Sequence, residues 1–280
     1  MRRLFLLRAY GDFVIAIRSA MLSPKTTGIK IIASNHLYPL FESISSVIDT
    51  SQLDISFEDF GIHLGQLNLF TKRNLFQKST LEQTRKIKNY ITDNSSFVTV
   101  VNILEQRRRK AALQFMTGLK FECIVHKDCI YQEYAHFFEH ESNSKYVNDN
   151  VEKKHFLLLP DARIAKRNIP QAIIESITKE VNQNGASMQV AYFKGASKEG
   201  QIESTPIFKQ TVYNNFKELI QLILEADFII GSDSLPIHLC ELFNKPHFIL
   251  FPNRYPRNFI TPYALDNSSF GEFSNFKLTY

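Results

Sequence analysis

Cysteine is scarce in this chain. Its 280 residues hold three, Cys123, Cys129 and Cys240, and none falls in a CxxC pair. That excludes a disulfide framework and reads as reduced thiols in a cytosolic protein. Long apolar runs are missing as well. The opening stretch, MRRLFLLRAYGD, is too short in its apolar part for a signal peptide or a membrane span, and a first buried strand accounts for it better. Charge of one sign is not in large excess. There are 33 basic and 28 acidic residues, a net charge of +5 and a pI near 9.0. Such mild basicity suits an anionic small molecule or a passing contact with an acidic membrane surface, and it does not demand nucleic acid. The densest basic run, Arg107-Arg108-Arg109-Lys110, fits either a solvated helix face or an anionic-surface patch. Internal repeats and low-complexity stretches are absent. So is a DxD pair at a strand end, and so is HExxH. His136 and His140 in HFFEH have no evident third ligand, which makes them a helix face rather than a zinc pair.

What is present is ordinary globular material: 44% hydrophobic and 22% charged, enough for one large or two medium domains. Short apolar runs alternate with segments of helical period, which predicts α/β layering with mainly parallel sheets. RLFLLRAY, GIKIIASN, SFVTVVNI and FECIVH read as strands. Helices are expected over DFVIAIRSAML, around LYPLFESISSVI, and over LEQTRKIKNYIT, EQRRRKAALQFM and IYQEYAHFFEH. Residues 53 to 80 give mixed signals. The polar stretch ESNSKYVNDNVEKKH looks like a linker. Beyond it HFLLLPDA, MQVAYFKG, ADFIIGSD and PHFILF read as strands. IPQAIIESITKEVNQNGA, ending near Gly185, and VYNNFKELIQLILEA read as helices. Two domains follow, 1–145 and 150–280.

Ligands of open parallel sheets sit beyond the carboxyl ends of the strands, so the strand-to-helix junctions matter most. In RAYGDF, Gly11 is expected to hinge a tight turn, and Asp12 to stand at the start of a helix, as an N-cap or as a reactive acid. In GSDSLPIHLCELFNKPHFILF, the helix start at Ser234, Leu235, Pro236, Ile237 and His238 offers backbone amides and a partial positive charge to a diphosphate. Pro236 suits a first helical turn. Asp233 would repel a phosphate, so it is expected to face sugar hydroxyls. PDARIAKRNIP places Arg163, Lys166 and Arg167 on a loop after a strand, where cations suit a diphosphate leaving group. In KGASKEG, Glu199 is available to a ribose diol.

These segments together resemble the ADP-heptose:lipopolysaccharide heptosyltransferases of glycosyltransferase family 9. That family shows an apolar strand, Asp-Ser-Gly-Pro-Met-His-Leu, a helix, Lys-Pro and another apolar strand. Asp233, Ser234, Pro236, His238, Leu239, Lys245 and Pro246 fall in place, and the Gly-Asp opening, the phosphate-loop segment and the ribose acid follow in order along the whole chain. Leu235 stands where the family has glycine, and Asn168-Ile169 where it has an aromatic residue. The tail after Phe251 lacks the family's usual ending.

The resemblance implies a GT-B fold, two Rossmann-like domains with parallel sheets facing a central cleft, with the acceptor on the first domain and the nucleotide-sugar donor on the second. It implies an inverting, metal-independent glycosyltransferase without cofactor, moving a heptose-like sugar from a nucleoside-diphosphate sugar, such as ADP-heptose, to a lipopolysaccharide or other cell-surface glycan. Asp12 would be the catalytic base. Lys166 or Arg167 and the amides near Ser234 would hold the diphosphate, with no nucleic-acid partner. A cytoplasmic protein, able to make peripheral contact with the inner membrane, is expected. A non-catalytic nucleotide-sugar binder or a sugar epimerase of the same shape stays open.

Overall fold

A computed structural model describes residues 2–7, 9–23, 28–61, 77–93, 98–101, 107–124, 129–141, 153–195, 208–254 and 258–278. The chain divides into two compact units, Met1–Glu141 and Ser142–Tyr280.

In the first unit, β1 (Arg2–Leu6) leads into α1 (Tyr10–Leu22), and β2 (Ile29–Ser34) into a short 3-10 turn and α2 (Tyr38–Ser45). Then come β3 (Ile55–Glu58), α3 (Lys78–Asp93), β4 (Val98–Val101), α4 (Arg107–Thr117), β5 (Glu122–Cys123) and α5 (Ile130–Phe137). The strands are all parallel, in the order β3-β2-β1-β4-β5. Leu4 and Phe5 of the central strand are wholly buried, as expected of a parallel strand covered on both faces. Phe5 lies beside Ile32 and Val101, and these join Ile87, Ile91, Leu113 and Phe121 in one core cluster. Arg3 is buried too. Its Nε donates to Thr99 Oγ1 at 2.9 Å and its Nη2 to the Ile91 carbonyl at 3.0 Å, which ties β1 to β4 and α3.

The start of α1 differs from the sequence expectation in two respects. Gly11 does not hinge a turn. It is the second residue of α1, because the chain passes from β1 to the helix through extended Ala9, whose φ of −68° suits any residue. Asp12 is not the N-cap. Ala9 holds that position, and Asp12 is the third helical residue, where the helix dipole favours an acid. The last helix of this unit also stops early, at Phe137. Glu139 takes a left-handed conformation (φ 57°), so His140 lies beyond the helix that carries His136 and does not share a face with it.

The second unit runs β6 (His155–Leu159), a 3-10 turn at Ala165–Arg167, α6 (Gln171–Gln183), β7 (Ser187–Phe193), β8 (Lys209–Tyr213), α7 (Phe216–Glu225), β9 (Phe228–Ser232), α8 (Leu235–Leu242), β10 (His247–Phe251), α9 (Pro262–Asp266) and β11 (Phe270–Glu272). All neighbouring strands are parallel, in the order β11-β10-β9-β6-β7-β8. Counted within the unit this is the doubly wound 3-2-1-4-5-6 arrangement. Just beyond α6, Gly185, with a φ of +78°, lets the Ala186 amide reach back to the Val181 carbonyl.

Three strands go beyond those read from the sequence: β3, in the stretch of mixed signals, and β8 and β11 in this unit. Val212 and Tyr213 belong to β8, not to the following helix. Asn215 caps α7 through the Glu218 amide, so the helix cannot begin earlier. The tail supplies α9 and the edge strand β11, and Leu278 enters the core beside Phe273 and Phe276.

α8 lies hard against β9 at Gly231. A Cβ there would meet Ile237 Cδ1 at 3.0 Å, Ile237 Cγ1 at 3.1 Å and the Leu159 carbonyl oxygen at 3.4 Å. Ile237 is fully buried and cannot swing outward. Gly231→Ala should therefore push α8 off the sheet, costing about 1–3 kcal/mol, the usual range for overpacking, as read from a denaturant melt. An unchanged midpoint would show that the contact is slack.

Candidate functional site

In a doubly wound sheet the strand order reverses between the first strand and its neighbour on the other side, and the loops there splay apart to leave a crevice. In the second unit those strands are β6 and β9. The loops that follow them are the two segments singled out by sequence, PDARIAKRNIP and GSDSLP, and the fold brings them into contact.

The β6 loop is closed on itself. The Ile169 amide donates to the Pro160 carbonyl at 3.0 Å, and the Ala162 amide to Asn168 Oδ1 at 2.9 Å. Ile169 is buried in the unit's core. The pair that departs from the family pattern thus has a role, with Asn168 bracing the loop and Ile169 anchoring it. The cations are left at its outer turn. Lys166 is exposed, and so is Arg163.

Arg167 is drawn inward, its side chain only 18% exposed. Its Nη1 donates to the Asp233 carbonyl oxygen at 2.9 Å and lies 3.2 Å from Asp233 Oδ2. Asp233, 1% exposed, is correspondingly buried. This corrects the expectation that Asp233 turns its carboxylate to sugar hydroxyls: the carboxylate is engaged with Arg167. Lys166 and Arg167, equivalent by sequence, are thereby distinguished. One is a surface cation and the other is fixed in place.

Ser234 adds a second link. Its hydroxyl lies 3.4 Å from the Asp161 carbonyl oxygen and 3.2 Å from that of Ser232, and it makes no capping bond to α8. By contrast, Asn215 caps α7 and Thr261 caps α9. Leu235 and Pro236 form the first turn of α8, and Leu235 is half-buried. Pro236 has no N–H to offer, so the donors in that turn are the amides of Leu235 and Ile237. A partial positive charge and a fixed guanidinium converge at this point.

His238 lies in the second turn of α8, its Nε2 3.9 Å from Asp233 Oδ1. Burial, and then the neighbouring His247 and Arg167, push its pKa down to about 3. The ring is neutral, so the charge that balances Asp233 comes from Arg167. Farther along, the Glu241 carboxylate accepts the Tyr263 amide at 3.1 Å. His247 contacts Thr261 Oγ1 at 2.6 Å, which ties the start of β10 to the start of α9.

Asp161 is not among the residues that the sequence motifs single out. It closely follows β6, and an acid at a strand's carboxyl end was the available signal. Its Oδ2 accepts the Phe193 amide at 3.0 Å, linking the ends of β6 and β7. Burial raises its pKa, partly offset by that hydrogen bond. Tyr192 and Tyr213 are raised as well, by burial first and by Asp161 second.

In the first unit the corresponding position follows β1, and there Asp12 stands, 7% exposed in the first turn of α1. Gly11 precedes it within the helix. Glu199 lies outside the described residues. No cluster of three or more potential metal ligands occurs among the described residues, and none of their helices is long and apolar enough to cross a membrane.

No family model matches the chain, and no curated protein matches its sequence. Solved structures do share its fold. The E. coli heptosyltransferase WaaC with ADP-2-deoxy-2-fluoro heptose aligns over 93% of this chain and 92% of its own, with a TM-score of 0.56 at 10% identity. A glycosyl transferase family 9 structure from Veillonella parvula aligns over 94% and 84%, with a TM-score of 0.60 at 10% identity. E. coli ADP-heptose lps heptosyltransferase II aligns over 97% and 90%, with a TM-score of 0.57 at 11% identity. The chain therefore has the GT-B fold, a pair of Rossmann-like units of the kind found in the family 9 heptosyltransferases.

The buried neutral His238 makes stability depend on pH. The unfolded chain takes up a proton near pH 6.5, whereas the folded chain resists until about pH 3. Stability is full above pH 6.5 and falls with decreasing pH across that window, by about 1.4 kcal/mol per pH unit. His238→Gln should flatten the slope between pH 6.5 and about 4 in denaturant melts. An equal slope in both proteins would place the His238 ring in contact with water.

Proposed function

We propose that the chain is a glycosyltransferase whose second unit binds a nucleoside-diphosphate sugar at the turn between β9 and α8. One observation carries the proposal: Arg167, from the loop after β6, is fixed by Asp233 beside the uncapped start of α8, at the switch point of a doubly wound sheet. An anion placed there meets the Leu235 and Ile237 amides, the dipole of the helix and a guanidinium already oriented by its partner. Lys166 adds an exposed charge nearby along the loop. The ADP-heptose relation of the structural neighbours supports an ADP-sugar donor and a heptose-like sugar, with a lipopolysaccharide or other cell-surface glycan as acceptor.

The acceptor hydroxyl oxygen attacks the anomeric carbon. The bond from that carbon to the diphosphate oxygen breaks, its electron pair leaves with the nucleoside diphosphate, and the carbon inverts. The hydroxyl proton passes to Asp12, in the first unit. The fixed donors at Arg167 and α8 stabilise the charge that develops on the leaving group. Labour is divided between the units in this scheme: one supplies the base and the other holds the donor.

The two roles separate experimentally. Asp12→Asn should abolish sugar transfer and leave ADP affinity within about twofold, measured by calorimetry. Arg167→Ala should weaken ADP at least about tenfold, or about 1.4 kcal/mol. ADP binding without transfer or hydrolysis of any nucleotide sugar in the unaltered protein would instead indicate a binding module. Indifference of ADP binding to Arg167 would remove the donor site from this turn.

A further inference from the structure

A second feature lies in the first unit and does not depend on the donor site. α3 and α4 pack onto the sheet through Ile87, Ile91 and Leu113. Leu81, Arg85 and Lys88 of α3, with Ala112, Phe115 and Met116 of α4, line a groove of about 640 Å³. Phe115 is 82% exposed and Leu81 51%. These are the two most exposed large apolar side chains among the described residues, and both line this groove.

The charge carried by the two helices is one-sided. α3 and α4 together hold eight cations, Lys78, Arg85, Lys86, Lys88, Arg107, Arg108, Arg109 and Lys110, against the two acids Glu82 and Asp93. Their net +6 accounts for all of the chain's +5. α4 also opens on Arg107, Arg108, Arg109 and Lys110 with no acid in its first turn. That is the reverse of what a helix dipole favours. A local rule broken in this way points to a requirement outside the fold.

We propose that the α3–α4 face docks on an anionic lipid bilayer, with Phe115 and Leu81 entering the headgroup boundary and Arg85 and Lys88 beside them meeting acidic headgroups. Charge complementarity selects this occupant. A second copy packed through the same groove would bring Arg85 and Lys88 against their own like charges. A nucleic-acid backbone would satisfy the cations but leave Phe115 and the hollow at Ala112 unmatched.

The chain has no tryptophan, so Phe115→Trp places a single reporter on the face. Vesicles of phosphatidylcholine alone are compared with vesicles in which phosphatidylglycerol replaces part of it. The indole emission of this variant should shift to the blue on the anionic vesicles, stay unshifted on the neutral ones, and return as salt rises. In co-sedimentation, the unaltered protein should bind the anionic vesicles, and Phe115→Ala or the pair Arg85→Glu and Lys88→Glu should bind about tenfold more weakly or worse. Thermal melts establish that each variant is folded. Emission that stays unshifted on anionic vesicles, equal binding to neutral vesicles, or variants that bind as well as the unaltered protein would each overturn the proposal. So would a concentration-dependent dimer that Phe115→Ala abolishes without changing vesicle binding.

Discussion

The contact between Arg167 and Asp233 is the constraint on which the rest of the second unit's chemistry depends. It joins loops that are 66 residues apart in sequence and that leave adjacent strands of one sheet. A buried carboxylate without a countercharge would be costly, and so would a guanidinium drawn in from water without an acceptor. Each group makes the other's position tolerable. The pairing also fixes where the positive charge stands, next to the first turn of α8. Removing either partner would free the other and blur the site.

Around that contact the packing leaves little slack. β9 and β10 are buried along their whole length, and Gly231 lets α8 approach until Ile237 touches the strand. Glu241 and His247 then hold the start of α9, and the tail closes the sheet with β11. A side chain at position 271 would overlap Phe276, so the tail's own return depends on glycine as well. The turn at Ser234 thus sits on a rigid platform, which is what a site for a charged ligand needs if donors are to be placed before the ligand arrives.

Much of this was legible in the sequence because it rests on strong local signals. Uninterrupted apolar runs such as FIIG and HFILF give buried parallel strands, and the Ser-Leu-Pro step gives a helix start. Less legible was anything set by side-chain partners distant in sequence. Asp233 and Arg167 were both singled out, but their spacing says nothing of their meeting, and Asp233 was accordingly assigned to face a ligand. The inward turn of Arg167 and the outward placement of Lys166 depend on Asn168 and Ile169 closing the loop, and no periodicity shows that. Gly11 misled because glycine after a strand usually marks a turn, whereas here the extended Ala9 makes the transition and the helix absorbs the glycine. β11 was missed because FGE is short and weakly apolar. It becomes a strand only because β10 offers it an edge.

The most direct test is a crystal structure with a nucleoside diphosphate bound. The account predicts phosphate oxygens within hydrogen-bonding distance of the Leu235 or Ile237 amide and of the Arg167 guanidinium, with the Asp233 contact intact. Phosphates bound elsewhere, with the turn at Ser234 unoccupied at saturating nucleotide, would contradict it.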